Sequence, residues 1–302
     1  MNEESTMKSK ELEENIILKK LNDFSELVMF KHSVFSLPFI FIAMLVASYL
    51  NTGSGWFGWK LLLLGALAAV TARNFAMGVN RYLDRDIDIL NPRTKGRPSV
   101  DGRVSQVQIL GFIFVNASAF VLVAYFVNTF ALQLSLPILM VLGGYSYFKR
   151  FSSLAHLVLG ASLGLAPIAG VVAVSGELSL WSVYLALGVT FWVAGFDLLY
   201  SLQDMDFDKA NGLHSIPSRF GAEKTMYIAR VFHILTIVFW IAFILHANLG
   251  MWAGIAVLFS TFMLSYEHYL VSKDFTNIDK AFFTVNGYLG FVFLLLIMIE
   301  VF

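Results

Sequence analysis

The sequence predicts an all-α, polytopic membrane protein, and the reasons are its composition and its long apolar runs. Of the 302 residues, 58% are hydrophobic and 15% are aromatic, whereas only 14% are charged. A helix needs about 20 apolar residues to cross the hydrocarbon core of a bilayer. Runs near that length predict about nine transmembrane helices bundled around a central cavity, over residues 33–50, 57–79, 107–127, 129–148, 154–175, 179–200, 226–246, 248–270 and 282–302.

The N-terminal segment is predicted to stand apart from this bundle, so that residues 1–30 form a tail and an interfacial helix and residues 31–302 form a single transmembrane domain. The first 12 or so residues are expected to be disordered. The start of the chain is rich in Glu and the first long apolar run begins late, which argues against a cleavable signal peptide. Apolar residues then recur at the spacing of an amphipathic surface helix at Ile17, Leu21, Phe24 and Val28.

The basic residues predict how the chain is oriented. All of the 21 Lys and Arg residues except Lys60 and Arg73 fall in segments on one side of the predicted bundle. Cytoplasmic loops of membrane proteins carry such an excess of positive charge. We therefore expect a multi-pass protein of the inner (cytoplasmic) membrane of a bacterium, with the amino terminus and the loops 81–106, 201–225 and 271–281 in the cytoplasm.

Two acidic clusters end two of the apolar runs on this cytoplasmic side. Positions i and i+4 share one face of a helix, so Asn80, Asp84 and Asp88 form one stripe, and Asp204 and Asp208 form another. The chain has no Cys, which excludes thiolate-bound metals. Facing carboxylates suit Mg²⁺, which takes one or two of them and completes its shell with water and phosphate oxygens. The sequence therefore predicts a Mg²⁺ site that binds a diphosphate.

Basic residues near the clusters could pair with the phosphate oxygens, in the case of Arg by bidentate contacts. They are Arg85, Arg93, Lys95, Arg97, Arg219 and Lys224. A single pair of carboxylates four residues apart more often belongs to the solvent-exposed face of a helix than to a binding or catalytic site. Two clusters, each at a helix end and each followed by basic residues and a Pro, favour the functional interpretation and suggest two related helical units around a central site.

These motifs resemble the two signatures of the UbiA family of membrane prenyltransferases. The first is Asn80-x3-Asp84-x3-Asp88 followed by Asn91-Pro-Arg-Thr-Lys-Gly-Arg-Pro98, and the second is Asp197-x6-Asp204-x3-Asp208 followed by Gly212 and Ser218-Arg-Phe-Gly221. The likeness extends to Ala72-Arg73 and to Tyr145-Ser-Tyr-Phe-Lys-Arg150. It covers nearly the whole chain from Lys31 onward.

The resemblance implies an integral membrane enzyme that joins a long-chain prenyl diphosphate to an acceptor, usually aromatic, with Mg²⁺. Carried over to this chain, Asn80 and the four aspartates Asp84, Asp88, Asp204 and Asp208 would hold the diphosphate through the metal. The chain looks most like the 4-hydroxybenzoate polyprenyltransferase branch of respiratory quinone synthesis, and also like relatives that act on a naphthoate in menaquinone synthesis. The acceptor and the oligomeric state stay open. The expected partners are the two substrates and the lipid bilayer, with no nucleic acid.

Other residues are candidates for parts of this site. Arg73 lies within a membrane helix, where a charge usually has a function, so it could bind diphosphate or an acceptor carboxylate, or pair two helices. Tyr145 could shield a cation with its ring or orient a phenol, although interfacial belts also use Tyr. Asp197 could deprotonate or orient the acceptor. Lys149 and Arg150 are further candidates for binding substrate.

His32 and His156 are expected to be structural. Two other classes of function compete with prenyl transfer. A transporter also buries Asp and Arg in a helical bundle, but its acidic residues would lie nearer the midplane, within broken helices. Lipid head-group transfer is a third possibility, yet the closely spaced Asp-Gly and Ala-Arg signature of the CDP-alcohol transferases is absent from the sequence.

Overall fold

The computed structural model describes residues 18–28 and 37–302, and within these ranges every regular element is helical. The helices are α1 (residues 18–27), α2 (Leu37–Thr52), α3 (Trp59–Leu83), α4 (Arg85–Leu90), α5 (Gln106–Val127), α6 (Thr129–Gly144), α7 (Ala155–Ser175), α8 (Leu180–Tyr200), α9 (Met205–Ala210), α10 (Ile216–His246), α11 (Met251–Lys273), α12 (Ile278–Lys280) and α13 (Asn286–Val301). Tight 3₁₀ turns follow α6, α8 and α11 at Tyr145–Arg150, Ser201–Asp204 and Phe275–Asn277, and a π-turn over Ala281–Val285 joins α12 to α13.

The predicted all-α membrane architecture is confirmed, although the count of nine spanning helices is not. Eight helical segments of the described chain are long and apolar enough to cross a membrane. The first predicted span corresponds to α2, which has only 16 residues. Residues 33–36, where that span was expected to begin, lie outside the described part of the chain.

The centre of the bundle is formed by α8, which packs against α7 on one side and α10 on the other. Small residues allow these helices to approach closely, as is usual in membranes. A Cβ atom on Gly160 would lie 2.2 Å from the carbonyl oxygen of Thr190, and one on Gly188 would lie 2.2 Å from the Trp240 ring. Larger side chains at either glycine would therefore push α8 away from its neighbours.

Both helices that carry an acidic cluster break at the cluster. Helix α3 ends at Leu83 and the chain resumes as α4, while α8 ends at Tyr200 and a 3₁₀ turn leads into α9. The next helix, α10, begins ten residues before the predicted start at 226, because Ser215 caps its first turn and a bend at Gly221 (φ 80°) redirects it. The predicted start at 226 was too late because the first turns of α10 are polar and lie outside the apolar run.

The N-terminal helix α1 packs on the first turn of α5 and the chain just before it. Leu27 is fully buried against Val104 and Ile109, and the guanidinium of Arg103 pairs with Glu26 at 2.8 Å. The structure has a helix over residues 18–27, in the region where an amphipathic helix is expected. Its location at a membrane surface stays a prediction. The predicted disordered tail, together with Ile17 and His32, lies outside the described residues.

Candidate functional site

The two acidic clusters meet in one polar cavity of about 250 Å³. It lies where the ends of α3 and α8 approach the start of α7 and the turn after α6. All five residues of the clusters line it, namely Asn80, Asp84, Asp88, Asp204 and Asp208. The two stretches of sequence, more than a hundred residues apart, thus form one oxygen-rich wall.

The spacing of the first cluster keeps its side chains together in spite of the helix break. The backbone N–H of Asp84 donates to the carbonyl oxygen of Asn80 at 2.9 Å, and that of Asp88 donates to Asp84 at 2.8 Å. These are the i to i+4 bonds of an α-helix. The amide of Asn80 also donates to an Asp84 carboxylate oxygen at 2.7 Å and to the Ser146 hydroxyl at 3.1 Å. The cluster is therefore held firmly against the turn after α6.

Three of the carboxylates each pair with a basic side chain. Lys149 Nζ lies 2.7 Å from Asp84, Arg97 Nη1 lies 2.7 Å from both oxygens of Asp88, and Arg93 pairs with Asp204. Burial raises the pKa of Asp84 above its usual range, and the Lys149 ammonium works against that shift. These pairs neutralise most of the negative charge that the clusters bring together.

The donor set fits a hard divalent cation that shares its shell with substrate. Asp84 Oδ1 is buried and has no hydrogen-bond partner in the described chain, and such an oxygen is costly to bury unless something binds it. Across residues 18–28 and 37–302, no three acidic, His or Cys side chains are close enough to enclose a metal by themselves. Mg²⁺ needs no such enclosure, because it keeps several positions for water and phosphate oxygens.

A second, apolar cavity of about 350 Å³ adjoins the polar one. Its walls are mainly Ala, Leu, Ile and Phe side chains of α3, α7, α8 and the π-turn. The two cavities share seven lining residues, Asn80, Arg81, Arg97, Tyr145, Leu159, Asp197 and Tyr200. A ligand with a charged head and an apolar tail could therefore occupy both at once.

Two of the predicted candidates lie deeper than the clusters. Arg73 lines the apolar cavity and not the polar one, whereas Tyr145 lines both. Tyr147, two residues further on, has 54% of its surface exposed and lines neither. The structure thus separates the two tyrosines, and only Tyr145 faces the cavities.

Asp197 forms a close pair with His156. His156 Nδ1 lies 2.7 Å from Asp197 Oδ2, and both residues line the polar cavity. His156 Nε2 is buried and has no hydrogen-bond partner within the described ranges. A carboxylate that accepts from Nδ1–H fixes the tautomer in which Nε2 can accept a proton. The sequence alone predicts a structural role for His156, and only the packing of α7 on α8 shows the pair.

Five predicted substrate-binding residues line neither cavity: Arg85, Lys95, Arg150, Arg219 and Lys224. Arg85 donates instead to the carbonyl oxygen of Ser99 at 2.9 Å, and Arg150 bridges Asp86 and the end of α3. The guanidinium of Arg219 lies over the ring of Phe220. The first two arginines therefore brace the loop and the helix break around the cluster.

Some cavity residues went unnoticed in the sequence. Arg81 is buried, with 3% of its surface exposed, and it donates to Asn80 at 2.8 Å and to the carbonyl oxygen of Leu27 in α1 at 3.1 Å. Tyr200 lines both cavities and contacts the guanidinium of Arg93. The sequence does place both residues near the clusters. Arg81 adjoins Asn80, and Tyr200 stands four residues before Asp204, the spacing that puts two residues on one helical face.

The chain is similar to known membrane prenyltransferases over most of its length. The model of the UbiA prenyltransferase family matches residues 37–297. A 4-hydroxybenzoate octaprenyltransferase of Burkholderia vietnamiensis is 28% identical over 234 residues, 77% of this chain and 80% of that protein. One from Polynucleobacter necessarius is 30% identical over 244 residues, 80% of this chain and 84% of that protein.

Solved structures share the same architecture. A UbiA homologue from Aeropyrum pernix K1 superposes with a TM-score of 0.81 at 30% identity, covering 90% of this chain and 98% of its own. A UbiA homologue from Archaeoglobus fulgidus, bound to GPP and Mg²⁺, superposes with a TM-score of 0.68. It is 19% identical, covers 90% of this chain and 99% of its own, and at that identity shows the fold alone.

Proposed function

This chain belongs to the UbiA prenyltransferase family, and on that premise we propose that it transfers a polyprenyl group from a prenyl diphosphate to a hydroxylated aromatic acid, with Mg²⁺. The observation that carries the proposal is the polar cavity with two acidic clusters opening directly into an apolar cavity. Because curated relatives bear the name 4-hydroxybenzoate octaprenyltransferase, 4-hydroxybenzoate is the proposed acceptor, in respiratory quinone biosynthesis.

The five residues of the acidic clusters would hold the metal. When bound, Mg²⁺ neutralises negative charge on the diphosphate and so helps it to leave. The binding of GPP and Mg²⁺ by the relative from Archaeoglobus fulgidus supports this choice of ligands. The unpartnered oxygen of Asp84 and the carboxylates now paired with basic residues are the groups that would turn toward the cation.

Arg93, Arg97 and Lys149 would then exchange partners. In the present arrangement each pairs with a carboxylate. With the carboxylates holding the cation, these side chains would pair with diphosphate oxygens, in the case of the arginines by two parallel hydrogen bonds. The site would thus keep a balanced charge both before and after substrate enters, which limits the cost of burying it.

The chemistry follows from how the two cavities divide the substrate. The allylic C–O bond breaks and its electron pair leaves with the diphosphate, whose growing charge the basic side chains stabilise. The prenyl tail lies in the apolar cavity, where little water can reach the allylic cation. The face of the Tyr145 ring stabilises that cation. An electron-rich ring carbon of the acceptor then forms the new C–C bond.

The acceptor must lose a proton after this attack. We assign the proton to Nε2 of His156, with Asp197 stabilising the resulting imidazolium. Arg73, on the apolar side, would hold the carboxylate of the aromatic acid. This assignment leaves the diphosphate to the cations of the polar cavity and gives each substrate its own charged contact.

We also propose that residues 31–302 form one UbiA-type domain in a bacterial inner membrane, with both acidic clusters on the cytoplasmic side. The chain has no Cys, so single cysteines report on topology directly. Thr276 and Asn211 are exposed in loops on the proposed inner side, and Ser54 is exposed on the other. An impermeant thiol reagent added to intact cells should label Ser54→Cys and spare Thr276→Cys and Asn211→Cys. The opposite pattern would reverse the orientation.

The function is tested with purified protein, Mg²⁺, farnesyl diphosphate and a panel of aromatic acids, with products read by mass spectrometry. Prenylated 4-hydroxybenzoate, absent when EDTA is added, is the expected product. Prenylation of a hydroxynaphthoate alone would move the enzyme to the menaquinone branch. If no acid is prenylated and no diphosphate is released, while vesicles that contain the protein take up a charged solute, the transporter interpretation would replace the proposal.

A further inference from the structure

A buried polar network joins three helices away from the polar cavity. Trp192 Nε1 of α8 donates to Asn286 Oδ1 of α13 at 2.7 Å, and Asn286 Nδ2 donates to Glu267 Oε1 of α11 at 2.9 Å. Each of the three residues has only 1% of its surface exposed, and none lines either cavity. We call these three residues the α11–α13 network. A carboxyl group buried inside a membrane bundle is expensive and is a functional candidate by default.

The network is attached to the π-turn over Ala281–Val285. Besides its contact with Glu267, the amide of Asn286 lies 3.2 Å from the carbonyl oxygen of Phe282 and 3.4 Å from that of Ala281. A π-turn inserts one extra residue and takes main-chain carbonyls out of the i to i+4 pattern, and such turns are frequent at functional sites. The Asn286 side chain therefore donates to main-chain carbonyls of the widened turn.

The π-turn presents two aromatic rings to the apolar cavity, those of Phe282 and Phe283. The ring of Phe282 lies 4.3 Å from that of Tyr200 and packs edge-on against Phe196 at 5.1 Å. Tyr200 lines both cavities, whereas Phe282 and Phe283 line only the apolar one, so these two rings belong to the wall around the prenyl tail. Closing the turn to a regular α-helix would rotate the rings by about 100° around the helix axis.

We propose that the α11–α13 network positions Phe282 and Phe283 as part of the tail-binding wall and thereby sets which prenyl chain lengths the enzyme accepts. The inference rests on the proposed function for its substrate, the prenyl diphosphate. Trp192 supports the same wall from behind, because its ring packs edge-on against Phe196 at 5.3 Å. The network and the rings thus form one closed set of contacts between α8 and the π-turn.

The test compares geranyl, farnesyl and geranylgeranyl diphosphate as competing substrates of the full-length protein. Phe282→Ala defines the effect of opening the wall. Asn286→Ala and Glu267→Leu, whose residues touch neither cavity, should change the ratio of kcat/KM between the shortest and longest substrate in the same direction. The expected change is about tenfold or more, because even one methylene in a hydrophobic pocket gives discrimination of that size. Glu267→Gln keeps the accepting oxygen and should keep the wild-type ratio.

Two further variants make the test specific. Ser260→Ala removes a fully buried hydroxyl of α11 that donates to the carbonyl oxygen of Ala256 in the same helix. It therefore controls for general loosening of the core and should leave the ratio unchanged. Trp192→Phe removes the hydrogen bond from Trp192 Nε1 to Asn286 and keeps a buried ring. If Asn286→Ala does not accumulate as folded protein, Trp192→Phe tests whether the network affects the chain-length ratio. In a Phe282→Ala background, Glu267→Leu should produce no further change in the ratio.

The inference is overturned if the network variants lower the melting temperature without moving the chain-length ratio, while Phe282→Ala moves it. Binding of the three diphosphates, measured by competition, gives the same ratio without any transfer step. If the wild-type protein binds them selectively but prenylates no acceptor, the proposed function fails and the inference about the wall stands. If it binds none of them, both fail.

Discussion

The first acidic cluster, at the end of α3, and the second, at the end of α8, are alike in sequence and different in structure. Asp84 and Asp88 are almost completely buried, with 2% and 3% of their surface exposed. The side chain of Asp204 is 19% exposed, and α9, which carries Asp208, buries none of its residues. A similar motif therefore provides one enclosed half of the site and one more open half.

The causes of this difference are local. The first cluster is braced from several directions, by the Ser146 hydroxyl on Asn80, by Arg81 bonded to α1, and by the Thr94 hydroxyl on the carbonyl oxygen of Asp88. The chain after α9 instead turns at Gly212 (φ 66°), where the N–H of Leu213 donates back to the carbonyl oxygen of Asp208, and it meets the turn after α6 through a backbone bond from His214 to the carbonyl oxygen of Lys149. We infer that the second half adjusts to substrate more easily than the first.

The helices above the clusters differ in charge. Seven residues before Asn80 the chain has Arg73, and seven residues before Asp204 it has Asp197. The helix before the first cluster thus carries a cation, and the helix before the second carries an anion. An acceptor acid needs both, one to hold its carboxylate and one to help remove its proton, so the sequence asymmetry matches the two needs of the proposed reaction.

The largest expected effect is on turnover when either cluster loses a charge. Each of Asp84→Asn, Asp88→Asn, Asp204→Asn and Asp208→Asn should lower kcat by about a hundredfold or more, because electrostatic stabilisation of the leaving group is the main catalytic contribution. Asp206→Asn is the matched control, since Asp206 stands between Asp204 and Asp208 in the sequence and lines neither cavity. Full activity in any of the four variants would remove that residue from the site.

A smaller effect is expected from the charged residues above the clusters. Arg73→Ala should raise KM for the aromatic acid about tenfold or more, because a hydrogen bond to a charged group contributes about 1.5–3 kcal/mol. Asp197→Asn should instead lower kcat with little change in KM. Arg73→Lys keeps the charge without the planar fork and should restore activity only in part.

Steady-state kinetics with each substrate varied in turn decide between the possible roles of Arg73. A rise confined to the KM of the prenyl diphosphate would assign Arg73 to the diphosphate instead. Unchanged constants together with a lower melting temperature would make Arg73 a structural residue that joins two helices.

The smallest effect concerns stability and tests the difference in burial directly. Without Mg²⁺, Asp88→Asn should lower the free energy of unfolding by about 1–3 kcal/mol, because it weakens a buried, charged hydrogen bond to Arg97. Asp204→Asn should cost no more than about 1 kcal/mol, since its pair with Arg93 is partly exposed. Thermal unfolding in detergent measures both. Equal losses would show that the two halves are equally enclosed.

Much of the architecture was predictable, because long apolar runs can only be satisfied as membrane helices and the i, i+4 spacing of the clusters does not depend on tertiary contacts. The basic residues were harder. Arg93 and Arg97 line the polar cavity, whereas Arg85 and Lys95 do not. All four lie in or beside a series of turns, where the sequence has no periodicity that would predict which way a side chain points.

Two other features depend on packing alone. His156 meets Asp197 only because α7 lies against α8, across 41 residues of sequence. The π-turn at Ala281–Val285 adds one residue to an otherwise regular apolar run, and nothing in the hydrophobic pattern marks it. Both are contacts between helices, and a single sequence specifies helices far better than it specifies their neighbours.

The central claim is that the two clusters act together on one metal-bound diphosphate, and a double-mutant cycle between Asp84 and Asp204 tests it most directly. Residues that act as a unit have strongly non-additive effects on catalysis. The account predicts that the Asp84→Asn, Asp204→Asn double variant has the same kcat/KM as the less active of the two single variants. It also predicts that Mg²⁺ no longer stimulates the two single variants or the double variant. Losses that multiply, or full Mg²⁺ stimulation in either single variant, would contradict it.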